Sequence, residues 1–529
     1  MDFQIIAVTV RSVTIEWDSD TCWRMPEKHE VFLNGVRAAE TDQNVFSLYG
    51  LQPETEYQIE ADGVSHTFMT RRESVLLDVR RFGAAGDGRK DDTAALQAAI
   101  AACPPEGTVR IPAGIYRASP LFLKSSMTLL LEKDAVLLGE TDRRRIPVLP
   151  GLVRCGEKED EYNFATWEGD PQDSFASLIT AIDVENLDLI GEGTLDGNAQ
   201  NGDWWVRPKE KRIAWRPNTL FLERCRNIRV QGLRIIHSPS WTVHPYYSDN
   251  LQFLNLDIQN PPDSPNTDGF DPESCRNVLL LGTCISVGDD CIAIKSGKIY
   301  MAQNHPRGSE GIVIRNCLLS RGHGSVTIGS ETAGGVRNVR VSQCLFDSTD
   351  RGIRIKTRRG RGKASVLDDL QFENIVMRDI PMAVTVNMFY FCDADGHSNY
   401  VQSQEWMPAD DRTPAIGTIR ISRVACTGAD ACFLCAFGLP EAPVGEIDVS
   451  DVRASFRPTA ERTPQCPIMM DHFPKLSGEA FYLLNIRKVR LKNIAVTGAG
   501  SDQPVLRDIG DSRFENVQIE REQAAPAFA

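Results

Sequence analysis

Asn227-Ile228-Arg229-Val230-Gln231-Gly232-Leu233-Arg234-Ile235 opens on a polar residue and then sets apolar side chains at offsets 1, 3, 6 and 8. The pattern returns at Asn250 (Leu251, Phe253, Leu256, Ile258), Gly311 (Ile312, Ile314, Cys317, Leu319) and Asn338 (Val339, Val341, Cys344, Phe346). Later copies start at Asp369 (Leu370, Phe372, Ile375, Met377), Thr418 (Ile419, Ile421, Val424, Cys426) and Lys488 (Val489, Leu491, Ile494, Val496). Asn277 heads a copy that keeps Val278, Leu280 and Ile285 but has Thr283 at the third point. Alternation within each copy marks strands, and the skip from offset 3 to offset 6 predicts a bend between two short strands. From Asn227 to Asp369 the starts lie 23, 27, 34, 27 and 31 residues apart, too little for a packed helix at every step. This spacing suits a parallel β-helix, an all-β solenoid whose coils bury their inward residues against neighbours about 4.8 Å away. A β-sandwich with accidental periodicity is the alternative, and the number of copies counts against it.

Working outward, residues 1–72 read as a separate small β-sandwich. Val13-Thr14-Ile15-Glu16-Trp17 alternates around an inward Trp, and Asn34-Gly35 signals a hairpin. Leu51-Gln52-Pro53-Glu54-Thr55-Glu56-Tyr57 resembles the tyrosine corner of fibronectin type III modules. Residues 73–529 form the solenoid domain. Its entrance is a flexible loop, Phe82–Gly88, after which Asp92 is expected to cap a helix from Thr93 to Ala102 that covers the first coil. The helix stops before Pro104-Pro105, and strands begin at Thr108-Val109-Arg110-Ile111. Residues 140–180 and 386–415 interrupt the repeat and are expected as loops over the functional face. The tail after Glu515 carries little information.

The net charge of −14 argues against general nucleic-acid binding. No run of about 18 apolar residues occurs, so no membrane span is expected. The start, Met1-Asp2-Phe3-Gln4, shows no basic region followed by an apolar one. The 14 cysteines include Cys317, Cys344 and Cys426 at inward positions, and Cys432-Phe433-Leu434-Cys435 stands alone without a second pair to hold zinc. A reducing, cytoplasmic compartment is the simpler expectation, with a secreted or periplasmic one if a signal has been removed. Neither metal nor cofactor is expected. Seven cations (Arg351, Arg354, Lys356, Arg358, Arg359, Arg361, Lys363) fall in thirteen residues without an acid. A solvated loop face is one reading of the whole run. Arg354 and Lys356 differ, because alternation on one strand points both to one face, where they suit an anionic ligand.

Four polar clusters follow in order on successive coils: Asn266-Thr267-Asp268, Asp289-Asp290, Gly322-His323-Gly324 and Arg354-Ile355-Lys356. Clustered carboxylates let one acid stay protonated while others act as bases. Together with the cations they suit cleavage of a glycosidic bond in an acidic polysaccharide. The four motifs resemble the signature of glycoside hydrolase family 28, the polygalacturonases, over about residues 75–500. Asp87-Gly88-Arg89-Lys90-Asp91-Asp92-Thr93 is similar to its bacterial members, and the N-terminal module to that of exo-acting ones. The resemblance implies a right-handed parallel β-helix of the pectin-lyase type and an inverting hydrolase of α-1,4-linked galacturonan. It implies Asp289 as general acid, Asp268 and Asp290 as the groups that position and deprotonate water, and His323 beside the acid. Arg354 and Lys356 would hold a galacturonate carboxylate, with Asn266 in the same pocket or in an Asn ladder. Weaker candidates for substrate contact are Lys295, Trp241, His244 and Tyr390. Trp241 stacks on a sugar or is buried at a coil corner; both readings are open. A non-catalytic β-helix binder, a pectate lyase and a rhamnogalacturonan hydrolase are the competing functions. Exo-action is expected if the two insertions and the module wall off one end of the groove.

Overall fold

The computed structural model describes residues 1–155, 160–467 and 469–522. It divides into two compact units: Met1–Trp167, Pro171–Asp289 and Val313–Leu318 in the first, Glu168–Asp170, Asp290–Ile312 and Leu319–Ala529 in the second.

The first unit begins with two antiparallel sheets. One holds strands Phe3–Val8, Ser12–Trp17 and Val45–Tyr49; the other holds Val36–Gln43, Arg24–Leu33, Glu56–Ala61 and Val64–Met69. They share one core, with Phe3, Val13, Ile15 and Trp17 facing Val31, Ile59 and Phe68. Tyr57 Oη accepts the Gln52 N–H at 2.9 Å and closes the Leu51–Tyr57 corner. This module is anchored to the coils of its unit. Buried Glu16 accepts from Arg315 Nε and Nη2 at 2.7 and 2.6 Å and from Asn316 Nδ2 at 2.8 Å. Gln231 bridges Ser12 and Thr14, and Ala7 and Val45 pack on Leu254 and Leu281.

The coils of the first unit stack in register. Val109, Leu129, Leu189, Val230, Phe253 and Leu280 are successive parallel partners, and all are fully buried. A second column runs Tyr116, Leu137, Leu195, Ile235, Ile258, Ile285. The solenoid therefore begins with Leu76–Asp78 and Asp87–Asp91, the parallel partners of Gly107–Ile111 and Gly114–Ala118, well before the repeat is readable, because the insertion after Gly139 breaks the period. The leading polar residue of each copy has a structural cause. Asn227, Asn250 and Asn277 sit at φ of 56, 56 and 55°, a left-handed conformation Asn tolerates better than most residues. Their side chains form a ladder that starts at Asn186.

In the second unit the columns are Val341, Phe372, Ile421, Val449, Leu491 and Cys344, Ile375, Val424, Val452, Ile494. The expected bend between two short strands appears as such in the first unit, where Gly232 and Gly282 turn at positive φ. In the second unit it lies inside continuous strands such as Val336–Asp347 and Val366–Arg378, at Gln343 and Asn374 with φ of 54 and 51°. The coil is a right-handed parallel β-helix. Helix Thr93–Ala102 forms as expected, but Asp92 does not cap it through its side chain. The fully buried Asp92 carboxylate accepts the N–H groups of Ala85 and Gly86 instead, satisfying two loop donors. The tail is ordered into strand Val505–Arg521, paired with Glu479–Ala499.

Candidate active site

In the first unit a third inward column, Leu121, Ile179, Leu220, Val243 and Phe270, supports the site. Just before Phe270 the chain turns through Asn266, at φ of 56°, to Thr267 and Asp268. Thr267 Oγ1 donates to Ser264 O at 3.1 Å and accepts the Gly288 N–H at 3.3 Å. One hydroxyl thus ties the turn of Asp268 to the turn of Asp289. A Cβ on Gly288 would meet Ser264 O at 2.3 Å, so only Gly fits before the acid pair. One carboxylate oxygen of Asp268 and one of Asp289 lie within 4.8 Å of each other. Asp268 is buried and Asp289 half-buried. Two carboxylates so close could share a divalent cation, though an acid pair alone does not make a metal site.

Asn266 Oδ1 accepts from Arg216 Nη2 at 2.7 Å, so this Asn serves the arginine and not the ladder. Arg216 also donates to Pro239 O and Pro265 O and lies over Trp167, which stacks on Trp215 at 4.5 Å and 2°. Sequence reasoning missed Arg216; the Trp215-Arg216 pair was the only hint. Trp241 is 7 % exposed and His244 1 %. They meet edge to face at 5.0 Å, and His244 Nε2 is 3.0 Å from Glu273 Oε2. Of the two readings open for Trp241, its burial matches the coil-corner one, and the acid beside His244 is Glu273.

In the second unit the matching inward column is Ile292, Val326, Ile353, Val384, Leu434 and Phe481. Arg354 and Lys356 alternate with Ile353 and Ile355 and emerge on the other side of the strand. Both grip Asp290: Arg354 Nη1 to Oδ1 and Lys356 Nζ to Oδ2, each at 3.0 Å. Burial alone would raise the Asp290 carboxyl, but Lys356 and Arg354 outweigh it and hold it well below the ordinary carboxylate range. Gly324 allows this approach, since a Cβ there would lie 2.8 Å from Asp290 Oδ1. Its neighbour His323 is exposed, with Nδ1 2.8 Å from Asp350 Oδ2. Tyr390 covers the cation pair, its ring 5.1 Å from Lys356 Nζ and 5.7 Å from the Arg354 guanidinium. Lys295 is buried and 3.4 Å from Glu331 Oε2.

The rest of the basic run is not a solvated face. Arg351, Arg358, Arg359 and Arg361 are buried, and only Lys363 is open. Arg358 donates to Asp395, Arg359 to both oxygens of Glu441, and Arg361 to Asp393 at 2.8 Å. Lys298 Nζ joins Asp393 at 2.9 Å. These ion pairs fix the insertion 386–415 in place, and through it Tyr390.

Fold and site together define a parallel β-helix protein of the pectin-lyase-like class, with carboxylates and cations set on its strand face. Residues 159–404 match the profile of Glycosyl hydrolases family 28, and residues 76–133 that of Rhamnogalacturonase A/epimerase, pectate lyase-like. Over residues 159–404 the chain is therefore similar to glycoside hydrolase family 28. It is 32 % identical over 324 residues to a probable polygalacturonase of Vitis vinifera, a stretch that is 60 % of this chain and 63 % of the grapevine protein. It is 28 % identical over 316 residues to an endo-polygalacturonase of Pectobacterium carotovorum subsp. carotovorum, covering 56 % of this chain and 72 % of that one. The fold is shared with the family 28 exopolygalacturonase of Yersinia enterocolitica, at a TM-score of 0.67 and 19 % identity over 99 % of this chain and all of that one.

Proposed function

We propose that this chain hydrolyses α-1,4-galacturonosidic bonds in polygalacturonate and its oligomers, with inversion and from a chain end. The observation that carries the reading is the division of states among the acids. Asp290 is clamped by Arg354 and Lys356 and stays ionised, so it cannot donate a proton; it orients and activates water. Asp289, half-buried and within 4.8 Å of Asp268, is the proton donor. Its proton passes to the glycosidic oxygen as the bond from C1 breaks. Water, oriented by Asp290, attacks C1 from the opposite face and gives a proton to Asp268. The product is a hemiacetal of inverted configuration. Arg354 and Lys356 hold the carboxylate of a galacturonate, and His323 helps set the protonation of the acid.

The approach of Asp268 and Asp289 is shorter than the roughly 6.5–9.5 Å common between acid and base in inverting enzymes. The anomer of the first product, followed by proton NMR before mutarotation, therefore tests inversion. End-on cleavage is supported by the second unit. In register, Lys356 is followed by Asn387 and then Phe437. Phe437 packs on Phe473 at 4.7 Å and Tyr482 at 5.6 Å, and Phe389 joins at 6.0 Å. Such an aromatic block two coils past the cations suits a closed groove end. A time course on a galacturonate decamer should release only monomer or dimer early; an early ladder of mid-sized products would refute it. Cys103, Cys225, Cys317, Cys426, Cys432 and Cys435 are buried as free thiols, which supports a reducing compartment and short imported oligomers as substrate. Cell fractionation checks the compartment.

A further inference from the structure

Beside the cation pair, in the second unit, lies a narrow cavity lined by Arg351, Arg354, Lys356, Thr385, Asn387 and Tyr390 among others. About 10 Å³ of it is open to the centre of a water-sized group, which is room for about one such group and not for a sugar ring. Arg351 is 4 % exposed, and its Nε has no hydrogen-bond partner among the described residues. Its Nη1 is 3.5 Å from Asp350 Oδ2, an oxygen that also meets His323. The charged groups facing Arg351 are Asp350, Arg354 and Asp290. Of these, Asp290 is already shared by Arg354 and Lys356. Three cations thus line the cavity, and Arg351 keeps an unfilled donor there. A buried guanidinium with unfilled bonding capacity is costly, and burial together with Arg354 disfavours its charge. Thr385 and Asn387 stand one coil on from Arg354 and Lys356 in the same register.

We propose that this cavity seats a second uronate carboxylate of the same chain, with Arg351 as its specificity-determining residue. The sugar ring lies over the mouth and only its carboxylate enters, completing the bonding of Arg351. Two free carboxylates at fixed places are then required, and an esterified sugar at the second is rejected. This rests on the galacturonan reading above.

The test uses the full chain with trigalacturonate and its three single methyl esters. Wild type should lose roughly 10- to 100-fold in kcat/KM at two ester positions, the size expected when one charge-assisted contact is removed. Arg351→Gln should raise KM for the free acid and abolish the penalty at one position only, and Arg351→Lys should restore part of it. Thermal melting of both variants separates misfolding from lost recognition, and the wild-type ester series stands without any variant. Hydrolysis of trigalacturonate with a penalty at one ester position, or a two-position penalty that survives Arg351→Gln, overturns this inference and leaves the hydrolase intact. Failure of wild type to cleave trigalacturonate at all overturns both.

Discussion

The strand columns that carry the site are alike on their inner side and opposite on their outer side. In the first unit Leu220, Val243 and Phe270 face inward, and the outer positions hold Glu223, His244, Tyr246 and Glu273, all buried. In the second unit Ile353, Val384 and Leu434 face inward, and the outer positions hold Arg354 and Lys356, then Thr385 and Asn387. Inner residues repeat because every coil must bury the same stripe; outer residues are free to differ. One side is acidic and packed, the other cationic and gathered around one carboxylate. Fold and chemistry are thus written on alternate residues of the same strands.

The sharpest way to break this contrast is at the acids. Asp289→Asn should lower kcat by about 10²–10⁴-fold, the usual share of a general acid, while the melting temperature stays near wild type. Steady-state kinetics with reducing-end detection reads it, and retention of a tenth of the activity would remove Asp289 from the role. On the cationic side Lys356→Ala should act mainly on KM for galacturonate oligomers. A charge-assisted contact worth roughly 1.5–3 kcal/mol is lost, and unchanged cleavage of polygalacturonate would dissociate the cation pair from substrate.

A smaller effect separates the two halves of the basic run. Asp393→Asn weakens the pairs with Arg361, Arg358 and Lys298 and should cost roughly 1–3 kcal/mol of stability. Denaturant titration measures it, and a loss confined to kcat with stability intact would contradict the anchoring role. A pH effect marks the acidic column. Burial raises Glu223 from 4.5 to about 8 despite Arg224 beside it. The folded state therefore keeps a proton that the unfolded chain has lost. Its contribution is full below about pH 4.5 and fades as pH rises through about 8. Glu223→Gln should flatten stability between those limits, and an unchanged slope in pH-dependent melting would exclude Glu223 as the cause.

The repeat was legible because burial of four residues per coil leaves a fixed trace, even where Cys344 or Cys426 fills an aliphatic position. Before Asn227 the strands from Thr108 were expected but their repeat was not read, since the long excursion between Leu129 and Leu189 hides the period. Asp268, Asp289, Asp290, Arg354 and Lys356 were legible as ordered clusters, and the structure groups them by unit as described. The fate of Arg358, Arg359 and Arg361 was not legible. Their partners Asp393, Asp395 and Glu441 stand 32 to 82 residues away, so nothing local says that these cations are buried. Trp241 and His244 stayed ambiguous for a similar reason: sequence left stacking and burial equally open, and Glu273, on the next coil, is what meets the imidazole.

The anchoring of residues 1–72 has a consequence for anyone who treats the chain as interchangeable cassettes. Glu16 supplies the carboxylate that neutralises Arg315, and Val45 covers Leu254 and Leu281. Deleting the module would strip a counter-ion and a lid from the flank of the coil, leaving an apolar patch open to water and to other chains. The sandwich is better regarded as a sealed joint than as a bead on a string, and a shortened chain inherits a sticky side wall.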